Sequence, residues 1–457
     1  MKITILTTTI ILFLSGCSTI EPDVSVDVNI SQSYQNSTAS SKVLADKWWS
    51  DFDSEELNLL VEKALKNNPD ILMAYEKIEQ AKILLASAGA EYLPSVDVRA
   101  NTSANRMEND RSTSVNTENT SATIAMSYEI DVWDKIGARV RASRATTDMS
   151  IYDYEAVRLS LIASVAESYI RILATKERLA TAEEHLFIMQ DILKVLEAKR
   201  SFGAIDDADV SGQKAAVLSQ QNSILGFKNR YENEKLALSL LISEPSDRLT
   251  LIEKNLFDLS APEVDAGLPS ELLLRRPDIA AKKAALEANK ALIQVADALR
   301  YPSFSLSASG GVASGALMSL SNPTTTLGAG FGLNYNLFDA GRLKNQVLLE
   351  ESKAKAVQQS YRKTVLQACK EVEEALGNLY YANKQDAITK ELLKEYLFRM
   401  NLMDTKYQFG AIEFETFLLA QQSYVSTKQQ TLNLLEAKLI ALVTLYKGLG
   451  GGFKREK

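Results

Sequence analysis

Asn68-Pro69-Asp70-Ile71 opens an apolar-patterned run that closes at Tyr92-Leu93-Pro94-Ser95. Shifted by 208 residues, Arg276-Pro277-Asp278-Ile279 opens a run that closes at Arg300-Tyr301-Pro302-Ser303. Phe202-Gly203-Ala204-Ile205 returns as Phe409-Gly410-Ala411-Ile412, and Tyr128–Asp134 is matched loosely by Tyr335–Asp339. Matches at nearly one offset make the chain a tandem duplication, so its fold is two copies of one unit. The expected division is a leader at 1–16, an N-terminal segment at 17–50 and repeat 1 at 51–242. A linker at 243–275, repeat 2 at 276–450 and a tail at 451–457 follow.

Each copy has the same grammar. A proline at the first helical position costs no hydrogen bond, a second proline stops that helix, and two extended segments follow. A very long helix, a glycine-containing tip and a return helix complete the unit. The long helix shows best between Ile151 and Arg200, where steps of alternating threes and fours find eleven apolar residues in fifteen positions. That is a coiled-coil stripe. No proline interrupts the chain between Pro94 and Pro245. A helix of about 65 residues would run about 100 Å and needs partners along its whole length. The second long helix, from about Leu343 to Gln408, keeps an apolar seam through Tyr361, Val365, Ala368, Val372, Ala375, Leu379 and Ala382. A hollow cylinder of helices and a solid bundle fit these seams equally well.

The extended segments alternate with period two. Val96, Val98 and Ala100 alternate with Asp97 and Arg99, and Ile124, Met126, Tyr128, Ile130 and Val132 with Ala125, Ser127, Glu129 and Asp131. In the second copy Phe304, Leu306 and Ala308 alternate with serines, and Leu327 through Leu337 with glycine and asparagine. An apolar and a polar face over about ten residues read as membrane β-strands. A half-buried soluble sheet has the same pattern. Trp133 and Phe338 are placed like interfacial aromatics, which favours the membrane, and the polar stretch Asn101–Thr120 is expected to be an exposed outer loop. Four strands cannot close a barrel and open edges are not tolerated in lipid. Membrane strands of this kind therefore require oligomerisation, with two copies and three both open.

The first residues bear on location. Lys2 precedes an apolar run from Ile3 to Leu14, too short to span a bilayer and right for a secretory signal. Leu14-Ser15-Gly16-Cys17 resembles a bacterial lipobox, which implies cleavage before Cys17 and its acylation. The competing reading is a chance cysteine after an uncleaved anchor. Ser18 in place of aspartate points to the outer membrane. With Cys17 acylated, Cys369 is left without an intrachain disulfide partner and reads as a packed core thiol. His185, the single histidine, reads as a surface or packing residue, since zinc sites and histidine acid–base machinery usually need more. A net charge of −7 argues against nucleic acid. No cofactor site, metal site or catalytic constellation is found.

Lipobox, duplication, paired strands and two giant hairpins together resemble the outer-membrane efflux protein (TolC) family, in its lipoprotein branch serving resistance-nodulation-division systems. The motifs are Trp48-Trp49-Ser50-Asp51-Phe52, then Leu273-Leu274-Arg275-Arg276-Pro277-Asp278-Ile279, and the terminal Leu445-Tyr446-Lys447-Gly448-Leu449-Gly450-Gly451-Gly452-Phe453. The resemblance implies a mainly helical homotrimer. Its long α-hairpins would form a periplasmic α-barrel, and its four strands per protomer would complete a shared 12-stranded β-barrel. It implies passive conduction of small molecules through the outer membrane, with a periplasmic adaptor and an inner-membrane pump as partners. A type I secretion duct and a periplasmic adaptor lipoprotein are the alternatives. Neither accounts as well for the lipobox with the Trp48-Trp49 motif, or for two hairpins with membrane-type strands.

In that family the hairpin tips dock adaptors and close the inner aperture. Here the tips are Gly203 with Asp206, Asp207 and Asp209, and Gly410 with Glu413 and Glu415. The glycines would permit the chain reversal. The acidic residues have two readings: caps on the following helix, or an acidic mouth that attracts cations when three copies surround one axis. Thr416 and Leu419 stand where some members carry an aspartate ring, so that ring is not expected.

Overall fold

The computed structural model describes residues 33–34, 45–109, 113–249, 251, 254–262, 264, 266–267 and 269–453. Cys17 and its leader lie outside them. In chain order the larger elements are α1 (Glu55–Asn67), α2 (Pro69–Ala90), β1 (Ser95–Asn109), β2 (Thr113–Ile130), α3 (Lys135–Ser201) and α4 (Asp207–Ile242). After a linker of short helical turns come α5 (Pro277–Ala298), β3 (Ser303–Ser314), β4 (Thr324–Asn334), α6 (Arg342–Gln408) and α7 (Phe414–Gly448). The two long helices, α3 and α6, have 67 residues each. Helix α3 begins well before the stripe that announces it, because no proline lies between Lys135 and Ile151 to break it.

Two compact units divide the chain. The first holds Lys77–Ile151 and Ala281–Arg362, with all four strands in one antiparallel sheet of order β1-β2-β3-β4. The ladders carry no bulge: Ser95 pairs with Ser127 and Asn109 with Thr113, Ile130 with Phe304, and Ser303 with Asn334. The expected outer loop at Asn101–Thr120 is therefore corrected, because most of it lies in strands. Its Thr, Ser and Asn side chains need no apolar partner, and once β1 and β2 pair at their bases the ladder propagates. Strands β2 and β4 end at Ile130 and Asn334, short of Val132, Tyr335 and Leu337.

Both strand-to-helix turns are closed by aspartates 208 residues apart. Asp131 accepts from the backbone N–H of Ile136 at 3.1 Å and of Gly137 at 2.9 Å. Asp339 accepts from Gly341 and Leu343, both at 2.9 Å. Each carboxylate satisfies donors that the first turn of a long helix leaves unpaired.

The second unit holds the described residues of Val28–Glu76, Tyr152–Ala280 and Lys363–Lys457. Its core takes Trp48, Phe52, Leu57, Tyr169, Leu238, Leu439 and Tyr446, all at most 2 % exposed. The α3 stripe supplies its centre: Leu161, Val165 and Ile172 are buried, and Ala182, Met189 and Leu196 continue the buried line below. Val365, Ala368, Val372 and Ala375 do the same on α6. Cys369 and His185 are half-buried. Burial raises the Cys369 thiol above its ordinary value, and burial lowers the His185 imidazole.

Candidate functional site: sheet, joint and hairpin tips

On the sheet, Val98, Leu327 and Phe331 are among the large apolar side chains left exposed, at 75 %, 87 % and 64 %. Register places β1 Val98 opposite β2 Ile124, and β3 Leu306 opposite β4 Phe331, so one face is apolar from edge to edge. The other face carries serine, threonine and glycine with few charges. Trp133 stacks on Tyr301 with centroids 4.9 Å apart, and its indole N–H donates to the Pro302 carbonyl oxygen at 2.7 Å. Phe338 is 87 % exposed. Among the described residues no helix is long and apolar enough to cross a membrane.

The three motifs of the sequence, far apart in the chain, meet in the second unit. Trp48 stacks on Tyr446 at 5.0 Å, and the Tyr446 hydroxyl donates to Asp51 at 2.8 Å. Burial pushes that hydroxyl well above its ordinary value, and the Asp51 carboxylate adds to the shift. Arg276 donates to Asp278, Glu371 and the Gly448 carbonyl oxygen. Gly450 passes so close to the chain at Arg275 that a Cβ there would lie 1.9 Å from its carbonyl oxygen. Sequence reading found all three motifs but had no signal that they form one joint.

Both tips use one left-handed glycine, Gly203 at φ 71° and Gly410 at φ 70°. Gly203 N–H donates to Arg200 and Ala204 N–H to Lys199; Gly410 and Ala411 repeat this on Tyr407 and Lys406. These bonds close the helix ends, with glycine at the position where other side chains are strained. Asp206 takes the capping role, accepting from Ala208 at 2.9 Å and Asp209 at 3.2 Å. Asp207 pairs with Arg200. Glu413 occupies the equivalent cap position without a side-chain bond, and Asp209 and Glu415 are exposed in the first turns. The structure thus gives Asp206 and Asp207 local partners.

Two tip features escaped sequence reading. Phe202 and Phe409 project at 87 % and 84 % exposure. Lys199 of the first hairpin donates to the Tyr407 hydroxyl of the second at 3.0 Å and lies 4.4 Å from its ring centre, while Tyr407 stacks on Phe417. The recurrence of Phe-Gly at both tips was visible; its exposure was not.

Among known proteins, the model of the outer membrane efflux protein family matches residues 60–244 and 268–451, one match for each copy of the duplication. The chain is 32 % identical to the pyoverdine export outer membrane protein OpmQ of Pseudomonas putida, over 97 % of this chain and 96 % of that one. It is 26 % identical to the cation efflux system protein CusC of Escherichia coli K12, over 93 % and 91 %. The crystal structure of the Campylobacter jejuni CmeC outer membrane channel superposes with a TM-score of 0.87 at 25 % identity, covering 96 % of each chain.

Proposed function

The chain belongs to the outer membrane efflux protein family and is an outer-membrane efflux channel that reaches into the periplasm; from that premise we propose how its parts serve as an exit duct. The single observation that carries the reading is the open four-stranded sheet. Its apolar face suits lipid, but β1 and β4 leave unpaired backbone edges, which hydrocarbon does not accept. Three copies pairing β1 to β4 give twelve strands and abolish the edges. Alternate side chains then face a polar bore, and the long hairpins continue the duct as a helical barrel.

In this reading a periplasmic adaptor engages the tips at Gly203 and Gly410, and a resistance-nodulation-division pump in the inner membrane supplies the energy. Exposed Phe202 and Phe409 give the adaptor an apolar foothold. Acylation of Cys17 anchors the N-terminus to the outer membrane, and Trp133 and Phe338 mark the sheet's lipid–water boundary. The duct conducts small molecules passively and makes or breaks no covalent bond, while the pump selects the cargo. Pyoverdine export and cation efflux are the names of relatives and set no substrate for this chain.

Purified protein tests this directly. Heat-sensitive trimers and discrete conductance steps in a planar bilayer are the expected result. A monomer that never conducts would overturn the duct. Labelled palmitate should enter the intact chain and not Cys17→Ala, and equal incorporation would remove the anchor from the proposal.

A further inference from the structure

The bulge-free ladders fix which side chains share a face. Odd-numbered positions of β1, β2 and β3 and even-numbered positions of β4 point one way. Apolar Val98, Ile124, Leu306 and Leu327 belong to the opposite face. If the apolar face meets lipid, as the duct reading holds, the first set lines the bore. Among the described residues, that set contains three charged side chains: Asp97, Arg99 and Glu129. Glu129 is already neutralised by an ion pair with Lys135. Asp97 and Arg99 are exposed, and neither forms an ion pair among the described residues. Arg106 and Glu118, farther along the same hairpin, fall on the other face by register.

No third charged side chain shares a row with either of them. Asp97 lies in a row with Ala125, Ser309 and Gly328, and Arg99 in a row with Thr123, Gly311 and Thr326. The β4 edge that would close against β1 offers only threonine, glycine and asparagine on this face. The bore is thus a neutral, small-residue wall bearing one acidic and one basic group two residues apart, roughly 7 Å along the strand. We propose that Asp97 and Arg99 set the charge balance of the membrane bore, forming two stacked rings of opposite sign when three copies close the barrel. Opposed rings nearly cancel at a distance, so the native duct passes solutes of either sign. Loss of one ring exposes the other. This rests on the duct reading.

The test uses full-length trimers carrying Ser309→Cys, in the row of Asp97, with the same protein lacking that cysteine to subtract Cys369. Cationic and anionic methanethiosulfonates of equal size are the probes. Asp97→Asn should lower the cationic-to-anionic rate ratio by roughly twofold, and Arg99→Gln should raise it as much. Arg106→Gln should leave it unchanged. The reversal potential in a salt gradient should move in opposite directions for the first two variants. Ratios insensitive to both Asp97→Asn and Arg99→Gln would overturn the proposal and leave the duct standing, as would an equal shift from Arg106→Gln. A Ser309→Cys that no water-soluble reagent reaches would instead show that this face does not line a bore, and the duct reading itself would fall.

Discussion

Arg276 donates to the carbonyl oxygen of Gly448 at 3.1 Å, tying the start of α5 to the end of α7. In the first copy Asn68, 208 residues earlier, donates to the carbonyl oxygen of Leu241 at 2.9 Å and ties α2 to α4 in the same way. Both residues precede the helix-opening proline. Each copy therefore clamps its short helix to the free carbonyls at its own return helix's C-terminus. The duplication has kept the device and changed the donor.

The two clamps should differ in strength. Arg276 is mostly buried and also holds Asp278 and Glu371, whose side chains are each 37 % exposed. Arg276→Leu leaves those carboxylates partly solvated, so about 2–3 kcal/mol of stability should be lost rather than the full cost of a fully buried pair. Asn68→Ala removes the hydrogen bond to the Leu241 carbonyl oxygen and the one accepted from the Asp70 N–H, and should cost about 1–2 kcal/mol. Chemical denaturation in detergent, followed by far-ultraviolet circular dichroism, should rank Arg276→Leu below Asn68→Ala.

The terminal glycines are not interchangeable with mid-helix ones. Gly450→Ala places a methyl group on the Arg275 carbonyl oxygen at φ 91°, so the joint must open and folded trimer should be nearly absent from membranes. Gly226 has no atom within 4 Å of its would-be Cβ and lies inside α4. Gly226→Ala should stabilise the protein by about 0.5–1 kcal/mol. Trimer yield on unheated gels checks the first, and a shift in denaturation midpoint the second.

Asp206 distinguishes a cap from a charge. Its carboxylate accepts from two N–H groups at the start of α4, and asparagine can do the same without charge. Asp206→Asn should keep stability close to that of the parent, and Asp206→Ala should cost about 1 kcal/mol. Equal losses from both would mean that the negative charge, not the hydrogen bonds, carries the effect.

Much of this architecture was legible because duplication multiplies every local signal. Proline at the first position of α2 and α5, period two in the strands and the apolar stripes of α3 and α6 each act within a few residues, and each is written twice. The polar reach of the β1–β2 hairpin was not legible, since Thr102, Asn105 and Asn119 lack apolar alternation and owe their conformation to a partner strand. Nor was the joint of Trp48, Arg276 and Gly450, whose members lie far apart in the chain and touch only after folding. At the tips the glycines were readable from recurrence. The partners of Asp207 and Lys199 depend on how helices pack, which no local spacing records.

Exposed aromatics at the tips should matter to coupling and not to folding. Phe202 and Phe409 contribute little to the core at their exposure, so Phe202→Ser with Phe409→Ser should leave trimers and conductance intact. If the tips dock an adaptor, the double variant should fail to restore efflux in a strain lacking the channel, by tenfold or so in sensitivity to the exported compound. Full restoration would move the docking surface away from these rings.

Glu234 gives the second unit a defined response to acid. Its carboxyl is half-buried on α4, beside Thr175 and near Arg230, with Glu436 and Arg178 forming their own ion pair close by. Burial raises Glu234 above the ordinary carboxylate range, and the Glu436 charge adds to it. The folded state therefore holds this proton to higher pH than the unfolded chain. The associated stability is complete below the unfolded value and is lost as pH rises through the folded one. His185 works in the opposite sense, because burial lowers it and the fold loses stability as pH falls below the ordinary histidine value. The two overlap in mild acid, so the parent's pH curve alone does not isolate either. The difference between parent and Glu234→Gln does. Glutamine carries no charge at any pH, so the variant should gain on the parent in thermal midpoint as pH rises from 5 to 7.5. A constant difference across that range would mean that Glu234 titrates as an ordinary surface carboxylate.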